Sequence, residues 1–251
     1  MAEFQMRIAG HVARVQTRFD STQSYFSAYL TQEEPEFFIA PTDADLEFEQ
    51  SFSIQEALEE GIRPRTYTGP RLERAAIQRA FAEYLFRQDV LLLHGSTVAV
   101  DGRAYLFTAK CGTGKSTHTR LWCRHFGARA KMVNDDKPFL HLTPQEVVAY
   151  GSPWNGKHGL SNPIAAPLQG ICVLCRGPEN RIRPLSPGEI LPMLRSQVTW
   201  PLDRGQYPRM ERLLDQLAHA VSLWQMECTP EVEAVRVAYG AMAQDGQQEN
   251  F

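Results

Sequence analysis

The segment 103–136 constrains the fold more than any other part of the chain. RAYLFTA (103–109) reads as an apolar strand, KCGTGKST follows it, and a helical pattern then runs to about Phe126. ARAKMVNDD (128–136) is a second apolar strand, and it ends in two aspartates. Strand, glycine loop, helix and acid-ended strand in that order point to an α/β nucleotide-binding core. Upstream, VLLLHGSTVAV (90–100) supplies one or two strands, and Asp101-Gly102 is a hairpin turn signal before 103–109. Downstream, PFLHL (138–142) and VVAY (147–150) read as a further hairpin, and QGICVLCRG (169–177) as a buried strand. The last third is read as helices at about 187–196, 208–224 and 229–243.

A core of this kind needs apolar material, and 251 residues with 43% hydrophobic side chains supply it. The net charge is -3 and the pI about 6.2. A nucleic-acid partner is therefore not expected, since it would ask for a basic excess. No apolar run reaches bilayer length, mean hydropathy is -0.35, and the first residues carry no secretory pattern. Five cysteines at irregular spacing do not make a disulfide framework. The expected location is cytoplasmic, with no membrane partner.

Residues 1–70 read as a small N-terminal α/β or mostly-β lobe. Strand-like pieces at Ile8–Val15, Phe37–Ile39 and Phe48–Ile54 alternate with acidic, polar stretches. GIRPRTYTGP (61–70) is the candidate linker. A helix pattern begins at Arg71 and ends near Gln88, so the expected domains are 1–70 and 71–251. The polar tail 244–251 is expected to fray.

Ala109 to Ser116 fits a phosphate-binding loop with Ala in the first glycine position. Glycines let backbone N–H groups turn inward around an anion, and the following helix adds its free N–H groups and dipole. Cys111, Gly112, Thr113, Gly114, Lys115, Ser116 and Thr117 are the candidate nucleotide contacts. Lys115 would reach the β- and γ-phosphates of ATP, and the Ser116 hydroxyl would bind Mg²⁺. Asp135 and Asp136 suit two tasks, holding Mg²⁺ and accepting a proton from an attacking hydroxyl. Asp135 is assigned the metal and Asp136 the base.

His94-Gly95 closes the apolar run 90–93, and by itself reads either as a structural histidine or as a proton-handling one. GSPWNGKHGLSNP (151–163) gathers turn formers with Lys157 and His158, which suits a loop that contacts a transferred phosphoryl group. Lys157 is the first choice there. Cys172 and Cys175 lie on one strand at i and i+3, facing opposite ways, and read as core thiols rather than metal ligands.

His94-Gly95, the hairpin, the glycine loop and Val133-x-Asp135-Asp136 together resemble the catalytic domain of HPr kinase/phosphorylase. More distantly they resemble the nucleotide core of phosphoenolpyruvate carboxykinase. The similarity is strongest over 90–142 and extends loosely through SPWNGKHGLSN and 168–176. It implies an HPr kinase-like P-loop core, with His94, Lys115, Ser116, Asp135 and Asp136 as working residues. It also implies a cytoplasmic Mg²⁺- and ATP-dependent kinase acting on a hydroxyl: a protein or peptide serine, or a small metabolite. Relatives form homo-oligomers. Thr117 stands where HPr kinase usually has an acid, and the phosphorylase signature has no clear counterpart here. The 1–70 lobe, unlike the HPr kinase N-terminal domain, is the candidate for selecting the acceptor. Two alternatives stand beside the kinase: a catalytically silent nucleotide-binding switch, and a carboxykinase-like lyase.

Overall fold

The structure, a computed structural model, describes residues 1–59, 61–110 and 112–243. Two compact units divide it, Met1–Leu85 and Phe86–Phe251. Cys111 and the tail 244–251 lie outside the described residues.

The first unit contains β1 (Ala2–Ile8), β2 (His11–Thr17), α1 (Asp20–Tyr25), β3 (Leu30–Thr31), β4 (Phe37–Ile39), α2 (Asp43–Glu59) and α3 (Gly69–Phe86, whose last residue falls in the second unit). Its sheet runs β3-β1-β2-β4. Ile8 pairs with His11 across a two-residue turn, in which Ala9 (φ 50°) and Gly10 (φ 87°) both take positive φ. That conformation matches strand twist. The expected strand Ile8–Val15 is therefore split by a turn, while Phe37–Ile39 is a strand as read.

Phe48–Ile54 is a correction: it lies inside α2. Thr42 and Asp45 form a reciprocal cap, with Asp45 Oδ2 accepting from Thr42 N at 2.7 Å and Thr42 Oγ1 from Asp45 N at 3.3 Å. Phe48 and Phe52, one turn apart, stack with their ring centroids 6.0 Å apart and lie beneath the Arg79 guanidinium. The helix α3 groups with this unit through Leu85, so the division comes later than the Gly/Pro-rich segment 61–70. Glu73 of α3 is buried and accepts from the Arg18 amide and the Thr22 hydroxyl. Tyr84 of α3 stacks on Phe37 at 3.7 Å, and Arg79 pairs with the buried Glu49.

The second unit holds β5 (Val90–Leu92), β6 (Ser96–Val100), β7 (Arg103–Thr108), α4 (Lys115–Phe126), β8 (Ala130–Asn134), β9 (Phe139–Leu142), β10 (Val147–Tyr150), β11 (Ala165–Arg176), β12 (Arg181–Pro184), α5 (Pro187–Gln197), α6 (Tyr207–Ala220), β13 (Ser222–Cys228) and α7 (Val232–Met242). They build a nine-stranded mixed sheet of order β5-β9-β10-β11-β7-β6-β8, with β13 paired to β11 and β12 to β13. The chain is thus α/β, as expected. The helix read over 208–224 ends at Ala220, and the strand β13 follows it. Leu223 and Met226, three apart, are buried in the cores on opposite faces of the sheet, which a strand allows and a further helical turn would not.

Apolar side chains cover both faces of this sheet. On one, Leu106, Ile171 and Val173 meet α5 and α6 through Ile190, Leu194, Leu213 and Leu217. On the other, Tyr105, Phe107, Cys172 and Leu174 meet α4 and α7 through Trp122, Ala234, Val235 and Ala238. Cys172 is a core thiol, and its neighbour Cys175 is half-buried. No helix among the described residues is long and apolar enough to cross a membrane.

The strand directions decide where the chemistry collects. β6 is antiparallel to both β7 and β8, so β7 and β8 end where β6 begins. β11 runs parallel to β7, placing Val173 opposite Thr108. His94, the glycine loop, the aspartates and the end of β11 therefore meet at one edge of the sheet, at the carboxyl ends of the parallel strands, the usual place for a ligand in an open α/β sheet.

Candidate active site

The glycine loop leaves the last residue of β7 and enters α4 at Lys115. Gly112 (φ 76°) and Gly114 (φ 120°) both take positive φ, and Thr113 between them does not. Alternating hands of this kind turn successive N–H groups into a concave anion nest, and only glycine takes such φ values cheaply. Gly114 is the N-cap of α4, so the free N–H groups of the first helical turn open onto the same point. Lys115 is buried, and its Nζ donates to Ala109 O at 3.1 Å across the loop. Ala109 itself keeps negative φ, so alanine costs nothing there. Thr113 and Ser116 are half-buried, and Thr117 is exposed. The candidate contact Cys111 cannot be placed, because it lies outside the described residues.

Behind the loop, α4 is anchored by His118 and Trp122. The Trp122 indole N–H donates to His118 Nε2 at 3.0 Å. Burial pushes His118 down to about 4, so the ring is neutral and free to accept.

The two aspartates have different surroundings. Asp135 is almost fully buried, and its Oδ1 accepts from the Gly156 N–H at 2.6 Å. Its Oδ2 is buried without a hydrogen-bond partner. The Ser116 hydroxyl donates to the backbone carbonyl of the same residue, Asp135 O, at 3.3 Å. Burial raises the Asp135 pKa, opposed by the Gly156 N–H and reinforced by the charge of Asp136. A buried, unpartnered carboxylate oxygen, on a residue whose main-chain carbonyl accepts from a serine hydroxyl, offers oxygen donors of the kind a small hard cation takes up. No cluster of three or more His, Cys, Asp or Glu capable of holding a metal occurs among the described residues.

Asp136 is partly exposed, and its Oδ1 lies 3.2 Å from His94 Nε2. Burial would raise Asp136, but the His94 hydrogen bond and charge, then Lys137 and Lys115, hold it below the ordinary carboxylate range. His94 moves down as well: burial lowers it, the Asp136 hydrogen bond resists, and the Lys137 and Lys115 charges add to the lowering. At neutral pH the pair is a carboxylate accepting a hydrogen bond from a neutral imidazole. The backbone locks it in place: Gly95 N–H donates to Asp136 O at 3.0 Å, and the Thr108 hydroxyl to His94 O at 3.1 Å.

The loop 151–163 packs against the end of β8. Asn134 is its organiser. Its side-chain NH₂ donates to Ser152 O (2.8 Å) and Trp154 O (3.1 Å), while its Oδ1 accepts from the amides of Asp136 (2.7 Å) and Lys137 (2.6 Å). Gly151 must be glycine for space, since a Cβ there would sit 1.8 Å from Asn162 O. Gly156 sits against the carboxylate, with a built Cβ 3.3 Å from Asp135 Oδ2. Lys157 stands exposed on the turn closed by Gly159 N–H to Gly156 O, next to the residue that holds Asp135. His158 Nε2 is 3.3 Å from the Arg120 guanidinium on α4.

The edge therefore brings together His94, Gly112 to Ser116, Asp135, Asp136 and the loop carrying Lys157. Three further participants carry little signal in the sequence. Asn134 is visible as the residue before the acid pair, but its bridging role depends on a loop folding back. Gly156 is visible only as a turn former. Arg176 is a charge ending an apolar run, and it donates to Gly112 O and, at 3.3 Å, to Thr113 O.

Gly156→Ala is expected to press a methyl onto the side of Asp135 that lacks a partner. A calorimetric titration of Mg²⁺ in the presence of ATP should show weaker Mg²⁺ uptake than wild type, by roughly tenfold if one charge-assisted contact is lost. Unchanged Mg²⁺ uptake would rule Asp135 out as a cation ligand.

No protein-family model matches the chain, and no curated protein sequence matches it. Among solved structures, the chain is similar to the HPr(Ser) kinase/phosphatase from Coxiella burnetii. That match covers 63% of this chain and 99% of that one, with 10% sequence identity and a TM-score of 0.36.

Proposed function

We propose that the chain is a Mg²⁺-dependent kinase that moves the γ-phosphoryl group of ATP to a hydroxyl acceptor, either a serine of a protein or peptide or a small metabolite. One observation carries the reading above all others: the Asp136 carboxylate, tied to His94, stands at the same sheet edge as Lys115 and the anion nest. A site for phosphate alone has no use for a second, charged carboxylate at that place. A site for transfer needs it, because an alcohol must lose its proton as its oxygen attacks phosphorus.

In this reading the loop amides and the N-terminus of α4 bind the ATP phosphates. Lys115 leaves Ala109 O and stabilises negative charge on the γ-phosphoryl oxygens. Ser116 and Asp135 would hold Mg²⁺, which would supply neutralisation of the phosphate charge. The acceptor oxygen bonds to the γ-phosphorus, the bond from that phosphorus to the β,γ-bridging oxygen breaks, and ADP leaves. The acceptor's proton passes to Asp136. The neutral His94 holds Asp136 in place and keeps it ionised until that moment. Lys157, on the loop beside Asp135, steadies the transferred group. The partial exposure of Asp136 favours an acceptor that enters from solvent.

The test is a mass-spectrometric search for new phosphorylated species. The protein is incubated with ATP, Mg²⁺ and a cell extract divided into small-molecule and protein fractions. A product formed by the wild type and absent with Asp136→Asn is expected, and its fraction identifies the acceptor class. ATP binding with no product in either fraction would favour a nucleotide-binding switch. Oxaloacetate-dependent ATP consumption would favour a lyase.

A further inference from the structure

Arg176 is the last residue of β11. With Val173 opposite Thr108, the strand β7 ends while β11 continues for three more residues alongside the glycine loop. The exposed Arg176 side chain spends two of its donors on loop carbonyls, Nη2 on Gly112 O and Nε on Thr113 O. These contacts matter because a trans peptide sets its C=O and the next N–H on opposite sides. Tying Thr113 O toward Arg176 turns the Gly114 N–H toward the opposite face. Tying Gly112 O does the same for the Thr113 N–H, which donates to Lys110 O at 3.3 Å and closes the turn. With glycine at 112 and 114, the loop has little conformational preference of its own. A planar guanidinium on a sheet strand supplies the missing constraint, because its fork fixes two acceptors at once.

We propose that Arg176 is a positioning residue of the glycine loop: its two bonds to the carbonyls of Gly112 and Thr113 hold the loop peptides in the orientation that receives a nucleoside triphosphate. The proposal rests on the reading of this loop as a phosphate site. It does not depend on transfer to any acceptor.

The experiment is calorimetric titration of Mg²⁺-ATP into wild type, Arg176→Ala and Arg176→Lys, with melting temperatures and ¹H–¹⁵N spectra of the ATP-free proteins. Arg176→Ala should weaken ATP binding about tenfold. Its melting temperature should stay within about 2 °C of wild type, since the contacts are exposed. The amide signals of Thr113 and Gly114 should shift or broaden before any nucleotide is added. Arg176→Lys should recover only part of the affinity, because one ammonium cannot span two carbonyls. Equal ATP affinity in wild type and Arg176→Ala would overturn the proposal. Full recovery by lysine would also overturn it, assigning the effect to charge alone. Should the alanine variant lose its melting transition, Arg176→Gln takes its place, with the same two affinity outcomes deciding. A wild type that binds no ATP would remove the phosphate-site reading itself, a result distinct from both of the others.

Discussion

Asp136→Asn should lower phosphoryl transfer by about 10²–10⁴-fold, the range spanned by general-base groups. ATP affinity should change by less than about threefold. The split follows from geometry. Asp136 bonds to His94 and is partly exposed, whereas the proposed phosphate contacts are the loop amides and the buried Lys115. Asparagine keeps the shape and can still face His94, but it cannot take a proton.

The pH profile supplies the companion result. The His94 bond and charge hold Asp136 below its ordinary pKa. In wild type the carboxylate is therefore fully present at neutral pH, and activity falls only when pH drops through that depressed value. Removing the imidazole leaves burial, which raises Asp136, as the largest influence. His94→Ala should thus move the acid limb of kcat/KM to higher pH as well as reduce the rate. Single-turnover rates followed from neutral pH down through the depressed Asp136 value, paired with ATP titrations, measure both effects. An acid limb that stays in place, or moves to lower pH, would show that His94 does not tune Asp136.

Lys115→Met should have the next largest effect, and on binding as well as rate. A charge-assisted bond to phosphate contributes about 1.5–3 kcal/mol, so ATP affinity should fall by roughly 10–10²-fold. Lys115 is buried against the loop, and methionine fills nearly the same volume, so the fold should persist. Lys131→Met, exposed on β8, is the control and should bind ATP like wild type. Calorimetry on the two variants decides the matter: equal loss in both would reduce Lys115 to a contributor to overall charge.

Much of the site is legible in the amino-acid sequence, because its parts carry local signals. The glycine spacing, the following helix and the acid pair at the end of an apolar strand are contiguous features whose chemistry does not depend on distant pairing. The rest is set by register. Arg176 reaches the loop only because β11 pairs in parallel with β7 at a particular offset, and one sequence does not reveal that offset. Asn134 matters because 151–163 folds back over it. The differences in fold have similar causes. Phe48–Ile54 has strand-like composition, yet the Thr42/Asp45 cap and the 48/52 spacing make a helix; both of those signals are local and outweigh composition. β13 hides behind α6 because Leu223 and Met226 also fit a helical spacing of three.

β11 has a consequence for synthesis of the chain. A nascent polypeptide has made the whole glycine loop and both aspartates well before β11 leaves the ribosome. Until then β7 lacks its parallel neighbour and the loop lacks Arg176. Parallel pairing between segments so far apart in sequence is slow to form, because loop-closure entropy is paid before the contacts form. The phosphate-receiving shape is thus a late product of folding, and a chain interrupted before Arg176 carries the motif without the platform that orders it.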